Sequence, residues 1–409
     1  MVTTESVCEV IVVGGGPAGA AVANLLAQDG VQVVVLERER FPRFHVGESL
    51  LPTELASLER LGVDLDEVPF LRKRGAVFVD ERTGQRSGFS FDEGLPGTPH
   101  HAHQVDRATF DHELLRAAAR AGAEVRERHE VLAVEFGADE VRVRVRALEE
   151  EGEGQGKPEL ELRARYLIDA SGQKALLARQ AKTVEPYREF GRAAAFRHYR
   201  GLAPEINAEL HERGDIIIKL IDDGWMWIIP LISGDISVGI VKTKGKVEPA
   251  VLEQAVAESP LLQRLTAGAT PAEVRVVGNF SYRNTAPYGP RYACIGDAAC
   301  FLDPVFSSGV ALAFAGAERL AELLAPALRE GREAEAELMA PLAAHLARAY
   351  DAFERFIHRF YNTGLVDNVL LAERHASHAF RSGVISVLAA DVWREDNPFQ
   401  NMLLRARRA

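Results

Sequence analysis

Gly14-Gly15-Gly16-Pro17-Ala18-Gly19 has the spacing to do chemistry through its backbone. It fits G-x-G-x-x-G and stands directly after the apolar run Val10 to Val13, ahead of Ala20 to Gln28, whose Ala and Leu content reads as a helix. In that context Gly14 permits a tight turn, Gly16 lets the chain approach a pyrophosphate, and Gly19 lets helix and strand pack closely. The helix start, entered through Pro17 and Ala18, favours the negative charge. Glu37 ends the next apolar run, Val31 to Leu36, eighteen residues beyond Gly19, where a carboxylate accepts bonds from an adenosine ribose. This strand, helix, strand unit predicts a dinucleotide site and leaves FAD and NAD unresolved.

Other candidates are ambiguous by residue type. Gly224-Trp225-Met226-Trp227-Ile228-Ile229-Pro230 turns both indoles to one face if it is a strand, which by itself reads as core. In Phe41 to Pro52, Gly47 permits close approach and Ser49 offers a hydroxyl, but a plain helix cap has the same residues. Phe301 to Gly309 precedes a helical pattern, and amides at such a start, here Ser308 and Gly309, suit an anion as well as a serine cap. Lys73 stands between Arg72 and Arg74, taken alone a solvated basic run, and Arg107 reads as an N-terminal helical ion pair.

The elements that must position these residues belong to an ordinary folded chain of 409 residues, 47% hydrophobic and 26% charged, which excludes a mainly disordered one. A net charge of -11 argues against a nucleic-acid surface, which needs clustered Lys and Arg. Cys8, Cys294 and Cys300 make neither a disulfide framework nor a zinc pattern, so no metal is expected and the cytoplasm is the natural setting. No signal core or apolar run of roughly 20 residues stands in the sequence, so no membrane is expected. His112 to Ala121 reads as a helix, and Val141 to Leu148 and Leu160 to Ile168 as strands around an acidic, glycine-rich gap, Glu149 to Pro158, read as a solvated hairpin tip. Asp215 to Val241 suggests an inserted antiparallel sheet. Val310 to Leu324, Pro341 to Tyr361 and Val366 to Ala389 are the late helices.

Two strand ends favour FAD by resemblance. Tyr292-Ala293-Cys294-Ile295-Gly296-Asp297-Ala298-Ala299 and Asp169-Ala170-Ser171-Gly172 resemble FAD enzymes of the aromatic-hydroxylase superfamily, which implies that Asp297 meets the ribityl chain. Four further segments are similar to the flavin-dependent halogenases that act on electron-rich aromatic rings. They are Phe41 to Pro52, W-x-W-x-I-P at Trp225 to Pro230, F-x-x-P-x-x-S-x-G at Phe301 to Gly309, and Phe70 to Phe78 around Lys73. The likeness covers most of the first 330 residues, with weaker similarity in Tyr350 to Tyr361 and Asp391 to Pro398.

This resemblance implies an α/β fold: a Rossmann-like FAD-binding domain (1–80, 104–175 and 285–335), an inserted antiparallel β-sheet substrate domain (81–103 and 176–284) and a helical C-terminal region (336–409). It implies that Gly47, Ser49, Arg107 and Pro304 attend the cofactor, that Trp225 and Trp227 keep organic substrate from the peroxide, that Ser308 and Gly309 hold chloride or bromide, and that Lys73 is catalytic. The implied chemistry is oxidation of halide by a flavin C4a-hydroperoxide made from FADH2 and O2. Hypohalous acid then passes to Lys73, whose ammonium polarises it or whose free amine becomes a chloramine. A single fingerprint implies that a separate flavin reductase supplies FADH2. Phe306 stands where tryptophan halogenases carry a Glu, which favours a phenol or pyrrole, free or tethered to a carrier protein; Ala311 replaces a His common in phenol and pyrrole halogenases. The alternatives are a monooxygenase or reductase on the same scaffold, and a non-catalytic flavoprotein.

Overall fold

The computed structural model describes residues 3–65, 68–148, 159–187, 190, 193–278, 280–362 and 378–405. Val10, Ile11, Val12, Val33 and Val35 are buried on both faces of their sheet, as parallel strands covered on both sides must be. Thr3–Val13 runs parallel to Val33–Leu36 on one side and to Glu159–Asp169 on the other, and Glu124–Arg126 and Tyr292–Cys294 extend the parallel order outward. Val141–Ala147 pairs antiparallel with Glu159–Asp169. The expected hairpin tip, Glu149 to Pro158, lies outside the described residues.

Two helices begin earlier than their apolar patterns suggest. Pro17–Gln28 starts at its proline, because a proline at the first helical position gives up only an amide that no helix bonds. Arg107–Ala121 starts after Asp106, whose carboxylate accepts the Thr109 N–H at 2.8 Å. Both pack together over the first sheet, and Gly309–Glu330 packs against Pro17–Gln28 as well.

The second sheet places Gly224–Pro230 between Ile216–Ile221 and Ile236–Lys242, with Ala193–Arg200 beyond the latter. It departs from the expected domain plan in two ways. It is not wholly antiparallel, because Ile216–Ile221 pairs parallel with Gly75–Asp80: the two strands come from distant parts of the chain, with no hairpin to reverse direction. Residues 75–80, assigned to the FAD-binding domain, therefore belong by their hydrogen bonds to the second sheet, which Gln85–Ser90 continues.

The expected helix at Val310 to Leu324 continues to Glu330, where Gly331 closes it at φ 70°. Ala340–Asn362 agrees with expectation. Of Val366 to Ala389, residues 366–377 lie outside the described residues and His378–Leu388 is helical. Among the described residues no helix is long and apolar enough to cross a membrane.

Candidate active site

The glycine motif, the Trp strand and the start of Gly309–Glu330 meet around one cavity of about 640 Å³. Gly14, Gly16, Pro17, Ala18, Glu37, Gly47, Ser49, Arg107, Trp225, Trp227, Asp297, Pro304, Ser308 and Gly309 all line it; Gly19 and Lys73 do not.

Each fingerprint glycine has a separate steric reason. Gly14 sits at φ +102°, and a Cβ there would lie 2.4 Å from the Ala170 carbonyl oxygen. A Cβ on Gly16 would meet only the Arg43 guanidinium, at 3.5 Å, which leaves backbone exposed to a ligand. Gly19 acts out of the cavity: its Cβ would be 1.9 Å from the Gly14 carbonyl oxygen, so it fixes helix-to-strand contact. Glu37 is buried and held by the Gly15 N–H at 2.7 Å and the Glu39 N–H at 2.8 Å. An open glycine surface at a helix start with a fixed carboxylate beyond it is a donor and acceptor set that fits a dinucleotide, and the cavity's extension to the Trp strand leaves room for a flavin.

Arg107 makes the helical ion pair, to Asp111 at 2.8 Å, and also faces the cavity, while its Nη1 donates to the Val46 and Gly47 carbonyls at 3.0 and 3.1 Å. Asp111, fully buried, also takes Arg43 at 2.7 Å, so one carboxylate ties the helix Arg107–Ala121 to the segment 43–47. The Arg107 charge opposes the burial that pushes Asp297 up to about 6.

The two indoles share a face with ring centroids 5.8 Å apart, as the period of two requires. Gly239, opposite Trp227 in the ladder, makes the room: a Cβ there would lie 2.2 Å from the ring. Trp227 Nε1 donates to Ser237 Oγ at 3.1 Å; Trp225 Nε1 donates to Tyr361 Oη at 2.9 Å, and that hydroxyl donates to Asp303 Oδ2 at 3.0 Å. Phe306 stacks on Phe356 with centroids 4.3 Å apart, fastening Ala340–Asn362 to the F-x-x-P segment. Ser307 turns the chain at φ 55°, and the Ser308 and Gly309 amides then open the helix, where no intrahelical acceptor exists for them.

Lys73 is inside, not in the solvated run its neighbours suggest. Alternation in Leu71–Lys73 buries Leu71 and Lys73 and leaves Arg72 exposed. This strand pairs with Ala102–Gln104, and Gln104 bridges to Ser49. The Lys73 amine donates to Ser49 Oγ at 2.9 Å and to the Leu50 carbonyl at 2.8 Å, and lies 5.4 Å from the Phe91 centroid. Ser49 lines the cavity, so the amine stands one hydroxyl behind its wall. Burial pulls Lys73 down to about 8 against the opposing charges of Glu54 and Asp215.

Residue-by-residue reading missed Asp111, Glu54, Tyr361 and the contact of His198 Nε2 with Glu48 Oε1 at 3.0 Å, which ties the second sheet to the loop at Gly47. Only Asp111 left a trace, at the i,i+4 spacing from Arg107.

Residues 7–340 match the FAD binding domain family. A flavin-dependent halogenase of the fungus Armillaria mellea is 32% identical over 357 residues, 81% of this chain and 66% of that protein. Two more relatives named as halogenases, of Aspergillus terreus and Armillaria mellea, are 30% identical, with 68% and 72% of their lengths covered. The chain belongs to the flavin-dependent halogenase family. It spans 66%, 63% and 58% of the length of the first three halogenase relatives. The halogenase fold is also found in the solved myxobacterial chondrochloren halogenase, 29% identical with a TM-score of 0.76 over 98% of this chain and 97% of that one. A flavoprotein/dehydrogenase of Cytophaga hutchinsonii gives a TM-score of 0.86 at 26% identity, covering 98% and 96%.

Proposed function

We propose that this member of the halogenase family is a cytoplasmic enzyme that halogenates an electron-rich aromatic ring, a phenol or pyrrole, free or carried on an acyl carrier protein. The observation that carries the reading is the Lys73 amine, buried and fixed by Ser49 and Leu50 immediately behind the cavity that Trp225, Trp227, Ser308 and Gly309 line.

FAD, reduced by a separate reductase and exposed to O2, would supply the oxidant that turns chloride or bromide into hypohalous acid. Gly14, Gly16, Pro17, Ala18, Glu37, Gly47, Ser49, Arg107, Asp297 and Pro304 would hold the cofactor, with Gly19 supporting the turn from behind. The amides of Ser308 and Gly309 offer the halide two donors at a positive helix end. Trp225 and Trp227, locked by Tyr361 and Ser237, fill the wall and deny an organic ring that approach. Lys73 as an ammonium donates to the oxygen of hypohalous acid and polarises it toward the ring; as a free amine its nitrogen bonds the halogen as the oxygen–halogen bond breaks, and the hydroxide leaves with the amine proton as water. Phe306, packed against Phe356, offers no carboxylate to take a proton from a weakly activated ring, which supports a substrate activated by its own heteroatom.

Supplying a flavin reductase, NADH, O2 and bromide with a panel of phenols and pyrroles, free and carrier-bound, tests this: a brominated product supports it. The TM-score of 0.86 to a flavoprotein/dehydrogenase favours a second reading, a monooxygenase or reductase on the same scaffold. Turnover indifferent to chloride and bromide, or rapid direct reduction of the flavin by NADH or NADPH, would establish that reading instead.

A further inference from the structure

Tyr361 joins two parts of the cavity that are far apart in the chain. It stands at the end of the helix Ala340–Asn362, where its hydroxyl accepts the Trp225 Nε1–H at 2.9 Å and donates to Asp303 Oδ2 at 3.0 Å. Asp303 is buried and lines the cavity, and its Oδ1 accepts the Val305 N–H at 3.0 Å. That bond caps the turn Pro304–Phe306, which leads through Ser307 to the Ser308 and Gly309 amides. The same helix end grips this turn a second way. Phe360 meets Phe306 edge-on with centroids 5.7 Å apart, beside the Phe356 stack, and Tyr361 lies edge-on to Phe360 at 5.3 Å.

The types of the three linked groups give the chain of bonds its direction. An indole N–H only donates and a carboxylate only accepts, so joining them takes a side chain that does both, as a phenol does. Burial and the Asp303 carboxylate push the Tyr361 hydroxyl well above its usual range, so it keeps the proton it donates. A bond to a carboxylate is charge-assisted and stronger than a neutral one. It also draws the negative charge of Asp303 toward Tyr361 and Val305. That matters in a cavity whose helix start is offered to an anion, because like charges sharing it repel.

Resting on the reading of Ser308 and Gly309 as halide donors and of Trp225 as a barrier, we propose that Tyr361 is a positioning residue. Its hydroxyl holds the indole wall and the halide-bearing turn in one register, so halide affinity and retention of the oxidant are set together from the end of the helix Ala340–Asn362. Tyr361 itself does not line the cavity.

The test compares the FAD-loaded parent with Tyr361→Phe, which keeps the ring and removes only the hydroxyl. With tryptophan labelled at 15Nε1, Trp225 is the probe among three indoles and Trp393, bonded to the His345 carbonyl, is the reference. The Trp225 signal is expected to move and the Trp393 signal to stay. Halide affinity, read for chloride by 35Cl line broadening and for bromide by titration of the Trp225 signal, is expected to fall about tenfold, the worth of one charge-assisted hydrogen bond. KM for halide should rise by the same factor with kcat changed less, and more hydrogen peroxide should be released per FADH2 oxidised. A moved Trp225 signal with halide affinity, KM and peroxide yield all unchanged makes the hydroxyl a packing contact and overturns the inference alone. A parent that binds neither halide and halogenates nothing overturns the halide reading, and the inference with it. Should Tyr361→Phe fail to fold, the parent serves by itself: saturating halide is expected to shift the Trp225 signal and not that of Trp393, and an unmoved Trp225 signal refutes the coupling.

Discussion

Replacing Lys73 by Met keeps most of the side-chain volume and removes the charge, which turns the proposed catalytic group into a stability experiment. Burial lowers Lys73 from 10.5 to about 8, so the folded protein holds this ammonium less tightly than the unfolded chain does. The sign follows from linkage: the penalty is fully present below the folded value of about 8 and is relieved as pH rises toward the unfolded value of 10.5. For a shift of this size the penalty is about 3 kcal/mol at pH 7 and about 1 kcal/mol at pH 9.5. The parent should therefore gain about 2 kcal/mol of stability on the Met variant between those two conditions. The lost bonds to Ser49 and Leu50 offset part of the variant's advantage at pH 7 but cancel in this difference, because they are absent from the variant at both pH values. Loss of the ammonium also raises Glu54 further, which adds with the same sign. Urea unfolding of both proteins at the two pH values reads the quantity directly. Parallel stability curves would refute the reasoning, since they would mean that Lys73 holds its proton as a solvated lysine does.

Asp111→Ala leaves Arg43 and Arg107 facing each other without their shared carboxylate and should cost about 3–5 kcal/mol, visible as a lowered urea midpoint. Gly19→Ala places a methyl 1.9 Å from a backbone oxygen. It should weaken FAD binding by at least about tenfold, or 1.4 kcal/mol, in a fluorescence titration of the apoprotein. Gly239→Ala puts its methyl into the Trp227 ring and should cost about 1–3 kcal/mol in urea unfolding while shifting tryptophan fluorescence.

Much of this site was legible because its parts are contiguous. The fingerprint glycines sit together in the chain, and a period of two sufficed to put Trp225 and Trp227 on one face. Lys73 was legible only through resemblance: between two arginines its residue type speaks for solvent, and a three-residue strand is too short for alternation to be read. What stayed hidden depends on pairs distant in sequence. Nothing in the spacing of Gly75–Asp80 and Ile216–Ile221 announces their parallel pairing, and nothing local joins Trp225 to Tyr361 or Glu48 to His198. Glu54 stands at a helix start, a position that favours carboxylates at the surface too; only its complete burial separates it from that role.

The most direct test of the account is mass spectrometry of products made from a phenol or pyrrole with a flavin reductase, NADH, O2 and bromide, run side by side with the parent and with FAD-loaded Lys73→Met. The expected result is a brominated ring, with its paired isotope peaks, from the parent alone. Equal bromination by both would show that halogen reaches the ring without Lys73, and an oxygenated or reduced product that ignores bromide would show that this chain uses its flavin for other chemistry.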